Sequence, residues 1–197
     1  MVAYDVDTLT ERERARIVKS AVSPRPIAWV STRGEDGSEN LAPYSSYNYV
    51  SSANPVVMFN SPNADHGGLK DSARNALATG EFAVNVVTEP LIDRMDASSE
   101  ALPAGESEFE TAGVARAACD RIDAPRVADA PITMECTLYD SLEIHDRISV
   151  FGEVVRFHVD ESVTADGKVD SRLLATIGRL GGPYYTGTDP LSFERQQ

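Results

Sequence analysis

Two stretches of this chain hold side chains whose types and spacing could do chemistry. The first is Lys70-Asp71-Ser72-Ala73-Arg74-Asn75, one residue after Gly67-Gly68. Its pattern predicts a short helix from about Asp71 to Thr79, stopped by Gly80. A helix start presents free N–H groups and a partial positive charge, so a lysine and a hydroxyl at that end make a phosphate site. Lys70 is one of only three lysines, with Lys19 and Lys168, which makes its position informative. The plainer alternative is that Asp71 or Ser72 caps the helix while Lys70 is solvated, and an isolated Lys-Asp-Ser favours that alternative. The second stretch is Asn40-Leu41-Ala42-Pro43-Tyr44-Ser45-Ser46-Tyr47-Asn48-Tyr49. It reads as one extended segment crowded with tyrosine, serine and asparagine. Flat apolar faces beside hydrogen-bonding groups can line a pocket for a planar ring with polar edges. An exposed edge strand using tyrosine for its β-propensity is the competing reading, and composition leans towards it.

Other chemistries lack their signatures. Ser45 and Ser46 have no G-x-S-x-G turn around them, and no H-E-x-x-H occurs. Gly34, Gly37, Gly67 and Gly68 have the wrong spacing for a dinucleotide fingerprint, and Gly181-Gly182 lies near the C-terminus. Cys119 and Cys136 form no C-x-x-C, and His66, His145 and His158 are scattered, so a zinc site is not expected. Cys136 lies in an alternating run and reads as a small buried hydrophobe. His66 sits in a loop where it could touch a ligand, although a plain polar loop residue is the commoner case. Asp93, Asp96, Glu106, Glu108 and Glu110 are acids among many and single out no catalytic pair.

The elements that must position these stretches read mainly as strands. Thr10-Glu11-Arg12-Glu13 matches a capping box and predicts a helix to about Ser20, broken by Ser23-Pro24-Arg25-Pro26. Ile27 to Thr32 is a β-rich run, followed by a turn at Gly34–Gly37 and the extended Asn40–Tyr49 segment, which together make a hairpin. Pro55–Asn60 and Phe82–Val87 are further strands, and Ser61–Gly68 is irregular. Pro90–Ala97 is a short helix, and residues 98–130 make a long surface excursion. Ile132–Tyr139 and Ile148–Val159 are two strong strands, and Asp166-Gly167 is a turn. Six or seven strands with short helices imply a closed antiparallel barrel, not a parallel α/β sheet.

Composition narrows the classes. The chain has 197 residues, 42% hydrophobic, which suits a single domain over 1–197 with its core at about 20–185. Eighteen basic against thirty-one acidic residues give a net charge of −13, so neither nucleic acid nor an anionic membrane is an expected partner. No apolar run is long enough to cross a membrane as a helix, and the N-terminus lacks the pattern of a signal peptide, so a cytoplasmic location is expected. The acid excess, with three lysines against fifteen arginines, points to a halophilic protein adapted to a salt-rich cytoplasm; an ordinary acidic protein is the alternative.

The order of segments is itself a signature. It runs Arg25–Thr32, a glycine turn, Asn40–Asn48, Asn54–Phe59, Lys70-Asp71-Ser72 with Asn75, Gly80–Asn85, Ser107–Gly113, Pro131–Cys136 and Arg179–Gly182. This resembles the flavin reductase-like family of FMN-binding split-barrel proteins from about residue 20 to 185. The resemblance implies a mainly β, Greek-key split barrel with a few short helices, forming a homodimer with FMN near the subunit interface. It places Tyr44, Ser45, Ser46, Tyr47 and Asn48 beside the isoalloxazine and ribityl chain. It places Ser61, Lys70, Asp71 and Ser72 in the segment that receives the phosphate; Ser72 stands where the family often has threonine, and the hydroxyl is retained. Arg25 and Arg179 are weaker matches and are not assigned. The implied activity is electron transfer from NADH or NADPH through flavin to a flavin or other small acceptor, with the cofactor carrying the chemistry and no catalytic side chain required. An FMN-binding electron carrier or sensor without nicotinamide turnover is the alternative. Residues 98–130 and Tyr184-Tyr185 are expected to help build the dimer interface.

Overall fold

A computed structural model describes residues 1–63, 65, 68–103 and 106–191. Helix α1 (Glu11–Ala21) begins with the predicted reciprocal box: the Glu13 N–H donates to the Thr10 hydroxyl, and the Thr10 N–H donates to the Glu13 carboxylate at 2.8 Å. None of its residues is buried. After it come β1 (Ala28–Arg33), β2 (Glu39–Tyr44), β3 (Tyr47–Ser51), β4 (Val56–Pro62), α2 (Asp71–Thr79), β5 (Glu81–Val86), α3 (Ile92–Ala97) and α4 (Glu108–Thr111). A two-residue pair, β6 (Arg116–Ala117) and β7 (Arg126–Val127), precedes the long strands β8 (Ile132–Ile144) and β9 (Arg147–Val159). Glycine at position 80 adopts φ +75° and closes α2 in the left-handed conformation that side chains avoid.

Seven strands form one antiparallel sheet in the order β2-β1-β5-β8-β9-β4-β3. β2 and β3 stand at opposite ends of that order, yet Ser45 and Ser46 alone separate them in the chain. The sheet must therefore curl until its edges meet, and the corner at Ser45-Ser46 is where the barrel splits. The Asn60 N–H donates to the Ser46 carbonyl at 2.9 Å and ties that corner to β4. The mainly-β split barrel with few short helices is the architecture observed.

The barrel interior packs Val30, Val57, Phe59, Phe82, Val84, Cys136 and Val150, with Ala73 and Ala76 of α2 closing one end. Phe82 lies edge-on to Phe59 at 5.4 Å between centroids. A Cβ at Gly152 would stand 2.3 Å from Phe82 Cζ, so the aromatic ring fills the space a side chain there would need. A second cluster lies outside the barrel and includes Trp29, Leu41, Leu91, Met95, Phe109, Val114 and Val127. β1 is thus apolar on both faces because both faces are covered.

Four expectations change. Asn40–Tyr49 is two strands, not one, because the chain turns the barrel corner at Ser45-Ser46. β4 runs on through Ser61 and Pro62, paired with Ile148 and Arg147. β8 runs past Tyr139 to Ile144 and β9 begins at Arg147; the mixed end of β8, where Leu142 and Ile144 alternate with Ser141 and Glu143, holds strand form through pairing as far as Ile144 opposite Arg147. Residues 98–130 turn Phe109, Val114, Ile122, Ala124 and Val127 inward, so much of their apolar surface is covered within this chain. Among the described residues no helix is long and apolar enough to cross a membrane.

Candidate functional site

A cavity of about 450 Å³ opens where the barrel corner, the start of α2 and the segment after α3 meet. Its walls carry Tyr44, Ser45 and Ser46 from the corner, Lys70, Asp71 and Ser72 from α2, Asn60 and Pro62 from β4, and residues 98–102. The two chemically suggestive stretches, some 25 residues apart in sequence, therefore line one space.

The start of α2 is not closed from within. Lys70 occupies the N-cap position with extended backbone and makes no side-chain cap. Asp71 pairs with Arg74 instead, and the Ser72 hydroxyl accepts from Asn40 Nδ2 at 2.7 Å. Neither residue caps the helix, so that half of the plainer alternative fails, while Lys70 is exposed as its other half supposes. The Arg74 N–H, donating to the Lys70 carbonyl at 2.9 Å, is the first bond of the helical ladder. Among the described residues no side chain caps the N–H groups before it, at a helix end that opens onto the cavity.

Tyr44 and Tyr47 both pack against the barrel core, and Tyr44 also borders the cavity. Tyr44 packs on Phe59 with centroids 4.8 Å apart and reaches the cavity. Burial pushes its phenol pKa up, partly opposed by the Ser72 and Ser61 hydroxyls. Ser61 is fully buried, and its hydroxyl biases the phenol without making a hydrogen bond of ordinary geometry. Tyr47 turns into the barrel core, where burial pushes its pKa up to about 12. Asn48 is exposed, with Oδ1 accepting from the Tyr49 N–H at 2.9 Å. In this chain, then, Tyr44, Ser45, Ser46, Lys70, Asp71 and Ser72 line the cavity, while Tyr47, Asn48 and Ser61 do not. His66 lies outside the described residues.

Several wall residues had no distinctive sequence signal. The Ser98 hydroxyl accepts from the Trp29 indole at 2.9 Å and donates to the Met95 carbonyl at 2.7 Å, which fixes the segment 98–102 against β1. Glu108 is more than nine-tenths buried; Oε2 accepts from the Leu41 N–H at 3.0 Å, and burial pushes its carboxyl pKa up. Nothing in the sequence separated it from its acidic neighbours. Arg25 donates to the Val22 and Leu180 carbonyls, bracing α1 against the C-terminal segment. Arg179 stacks over Tyr185 at 4.4 Å. Neither arginine lines the cavity.

Elsewhere, Asp120, Glu135 and His158 come together with their ligand atoms within 4.8 Å of one another, a grouping hidden by their wide spacing. The fully buried Glu135 carboxylate accepts from the Asp120 and Arg121 N–H groups at 2.8 and 2.7 Å and contacts His158. Asp120 pairs with Arg156 at 2.8 Å. These groups satisfy one another and latch the 119–122 segment onto β8 and β9.

The flavin reductase like domain model matches residues 20–177. An uncharacterized protein of Aquifex aeolicus is 38% identical over 171 residues, covering 86% of this chain and 87% of that protein. Among solved structures, nitrilotriacetate monooxygenase component B from Bacillus cereus superimposes with a TM-score of 0.92 at 31% identity, covering 99% of this chain and 98% of that one. The 2-nitrobenzoate 2-nitroreductase NbaA of Pseudomonas fluorescens gives 0.88 at 31% identity, covering 99% and 96%. With the split-barrel topology and the cavity at its corner, these matches make the chain a member of the flavin reductase-like family.

Proposed function

We propose that the protein is an FMN-binding oxidoreductase that passes electrons from NADH or NADPH through the flavin to an acceptor. One observation carries this reading: the uncapped start of α2, with Lys70 and Ser72, faces the same cavity as Tyr44, Ser45 and Ser46. The donor set suits the group. A phosphate dianion needs a cation and preorganised N–H donors, and the helix start supplies both. An isoalloxazine needs a flat apolar face and polar edge contacts, which Tyr44 and the two serines supply. The volume lies in the range of ordinary ligand cavities, about 300–1,000 Å³. When bound, the flavin supplies the hydride-accepting and electron-donating chemistry.

The chain's own residues bind and orient. Lys70, Ser72 and the first N–H groups of α2 hold the phosphate, with Asp71 keeping Arg74 engaged beside them. Tyr44, braced by Phe59, sets the position of the ring, and Ser45 or Ser46 hydrogen-bonds its polar edge. Tyr47 and Ser61 support the wall from within, and Asn48, exposed on β3, contacts FMN only across the homodimer interface. A homodimer is part of this reading. Exposed Tyr49, Val50, Tyr139, Leu142 and Ile144 on β3, β8 and the bulge between β8 and β9 leave apolar surface for a second copy. The two 31%-identical relatives, a monooxygenase component and a nitroreductase, fit acceptors that are a partner oxygenase or a small organic molecule.

The test is spectroscopic. Purified protein should be yellow, and NADH or NADPH added under argon should bleach the flavin absorbance. A yellow protein that no nicotinamide bleaches would be an electron carrier or sensor; a protein that takes up no added flavin would end the reading altogether.

A further inference from the structure

A second cavity, of about 590 Å³, adjoins the first. It runs along the exposed side of α2, and Asn40, Asp71, Leu102 and Glu108 border both spaces. Its chemistry is opposite to that of the helix start. Six carboxylates line it against a single cation, Arg74, which is already paired with Asp71 and donates to the Leu69 carbonyl. Glu39 is neutralised by Arg33 and Arg116. Glu35, Asp36, Glu106 and Glu108 have no cationic partner among the described residues. The side-chain donors are committed as well: Ser38 to Asp36, Asn40 to Ser72 and Asn75 to Thr32. At the boundary, Glu108 is more than nine-tenths buried, with Oε2 held by Leu41 and no hydrogen bond to Oε1 among the described residues. Its second oxygen is a fixed acceptor at the passage between the cavities.

We propose that this second cavity selects the flavin's phosphate: the site accepts a terminal monophosphate and rejects a flavin continued through a pyrophosphate to a second nucleoside. The proposal rests on the flavin reading above. With one phosphate at Lys70 and Ser72, a dinucleotide must carry its second phosphate past Asp71 and Glu108 into a space that offers carboxylates and few free donors. Like-charge juxtaposition of this kind suppresses a wrong partner more than it strengthens the right one.

The experiment compares FMN and FAD by equilibrium titration on wild type and on Glu35→Lys/Glu106→Lys. Both positions lie away from the proposed phosphate cradle and make no side-chain hydrogen bond or ion pair among the described residues. Wild type should prefer FMN by about 100-fold, and the double variant should narrow that ratio by about 10-fold through tighter FAD binding, with FMN changed by no more than about threefold. Glu35→Gln/Glu106→Gln should move the ratio the same way by a smaller factor. Equal affinity of wild type for the two flavins would overturn the proposal, as would a double variant that tightens both equally or neither. Wild type that binds neither flavin would overturn the flavin reading itself, an outcome distinct from binding both alike.

Discussion

Two polar regions of this molecule differ in how completely the chain satisfies them. Asn85, fully buried on β5, donates to the Trp29 carbonyl at 2.9 Å and the Ser31 hydroxyl at 3.0 Å, and accepts from the Val127 N–H and the Thr133 hydroxyl at 2.9 and 3.0 Å. Every hydrogen-bonding position of that amide is filled by its own chain. At the start of α2 the opposite holds: a lysine without a side-chain cap, first-turn N–H groups without side-chain partners, and a cavity beside them. A closed network holds strands together, whereas an open one leaves donors that only a bound group or water can satisfy. The contrast marks which polar groups this chain has spent on itself, without reference to residue type.

The comparison breaks most visibly at Asn85. Replacing it with alanine strands several buried donors and acceptors, each costing roughly 1–3 kcal/mol, so Asn85→Ala should lose about 4 kcal/mol of stability. Urea unfolding measures this; a loss below about 1 kcal/mol would mean that the network is incidental. The open region should behave in reverse. Lys70→Ala/Ser72→Ala should weaken FMN by roughly 3 kcal/mol, since charge-assisted hydrogen bonds carry about 1.5–3 kcal/mol each. Riboflavin, which lacks the phosphate, should bind the double variant and wild type alike. Identical FMN titrations of the two proteins would move the phosphate elsewhere.

Glu135 sharpens the comparison through pH. Burial pushes its carboxyl up, but the N–H groups of Asp120 and Arg121, with His158, outweigh that and hold it below the usual range. A depressed native pKa stabilises the fold above the unfolded-state value, and that stability is lost as pH falls through the native one. Glu135→Gln should therefore cost about 2 kcal/mol near neutrality. The gap to wild type should close below about pH 4, where the wild-type carboxylate takes up its proton. A gap independent of pH would show that the charge contributes nothing.

The smallest effect is global. With a net charge of −13, the surface repels itself over roughly 30 Å at about 0.01 M salt and over roughly 3 Å at about 1 M. Melting temperature should rise by a few degrees over that range of potassium chloride, and FMN affinity should rise with it. A flat or falling melting curve would remove the halophilic reading.

How far this division could be read beforehand depends on the distance over which each signal acts. The capping box at Thr10–Glu13, the Gly80 stop and the Asp166-Gly167 turn, where both residues have positive φ, are local, and each appears where the residues indicate. The extra length of β8 was not legible, because Asp140, Ser141 and Glu143 break up its apolar run and the segment holds strand form through its pairing with β9. Glu108 was not legible either. Its burial comes from Leu41, sixty-seven positions away, and no neighbouring residue marks it off from Glu106 or Glu110.

By itself the sequence determined the order of strands and short helices, the acidic surface, the helix start at Asp71 and the resemblance that joins them, because propensity, capping and charge act over a few residues. The tertiary structure decided which polar groups stay open. It packed both Tyr44 and Tyr47 on the core but brought only Tyr44 to the cavity, committed Ser72 to Asn40, left the start of α2 uncapped, and set a second, acidic cavity against the first. Those outcomes depend on closure of the sheet at Ser45-Ser46, which brings residues from β2, β4, α2 and α4 around one cavity, and no local pattern encodes that closure.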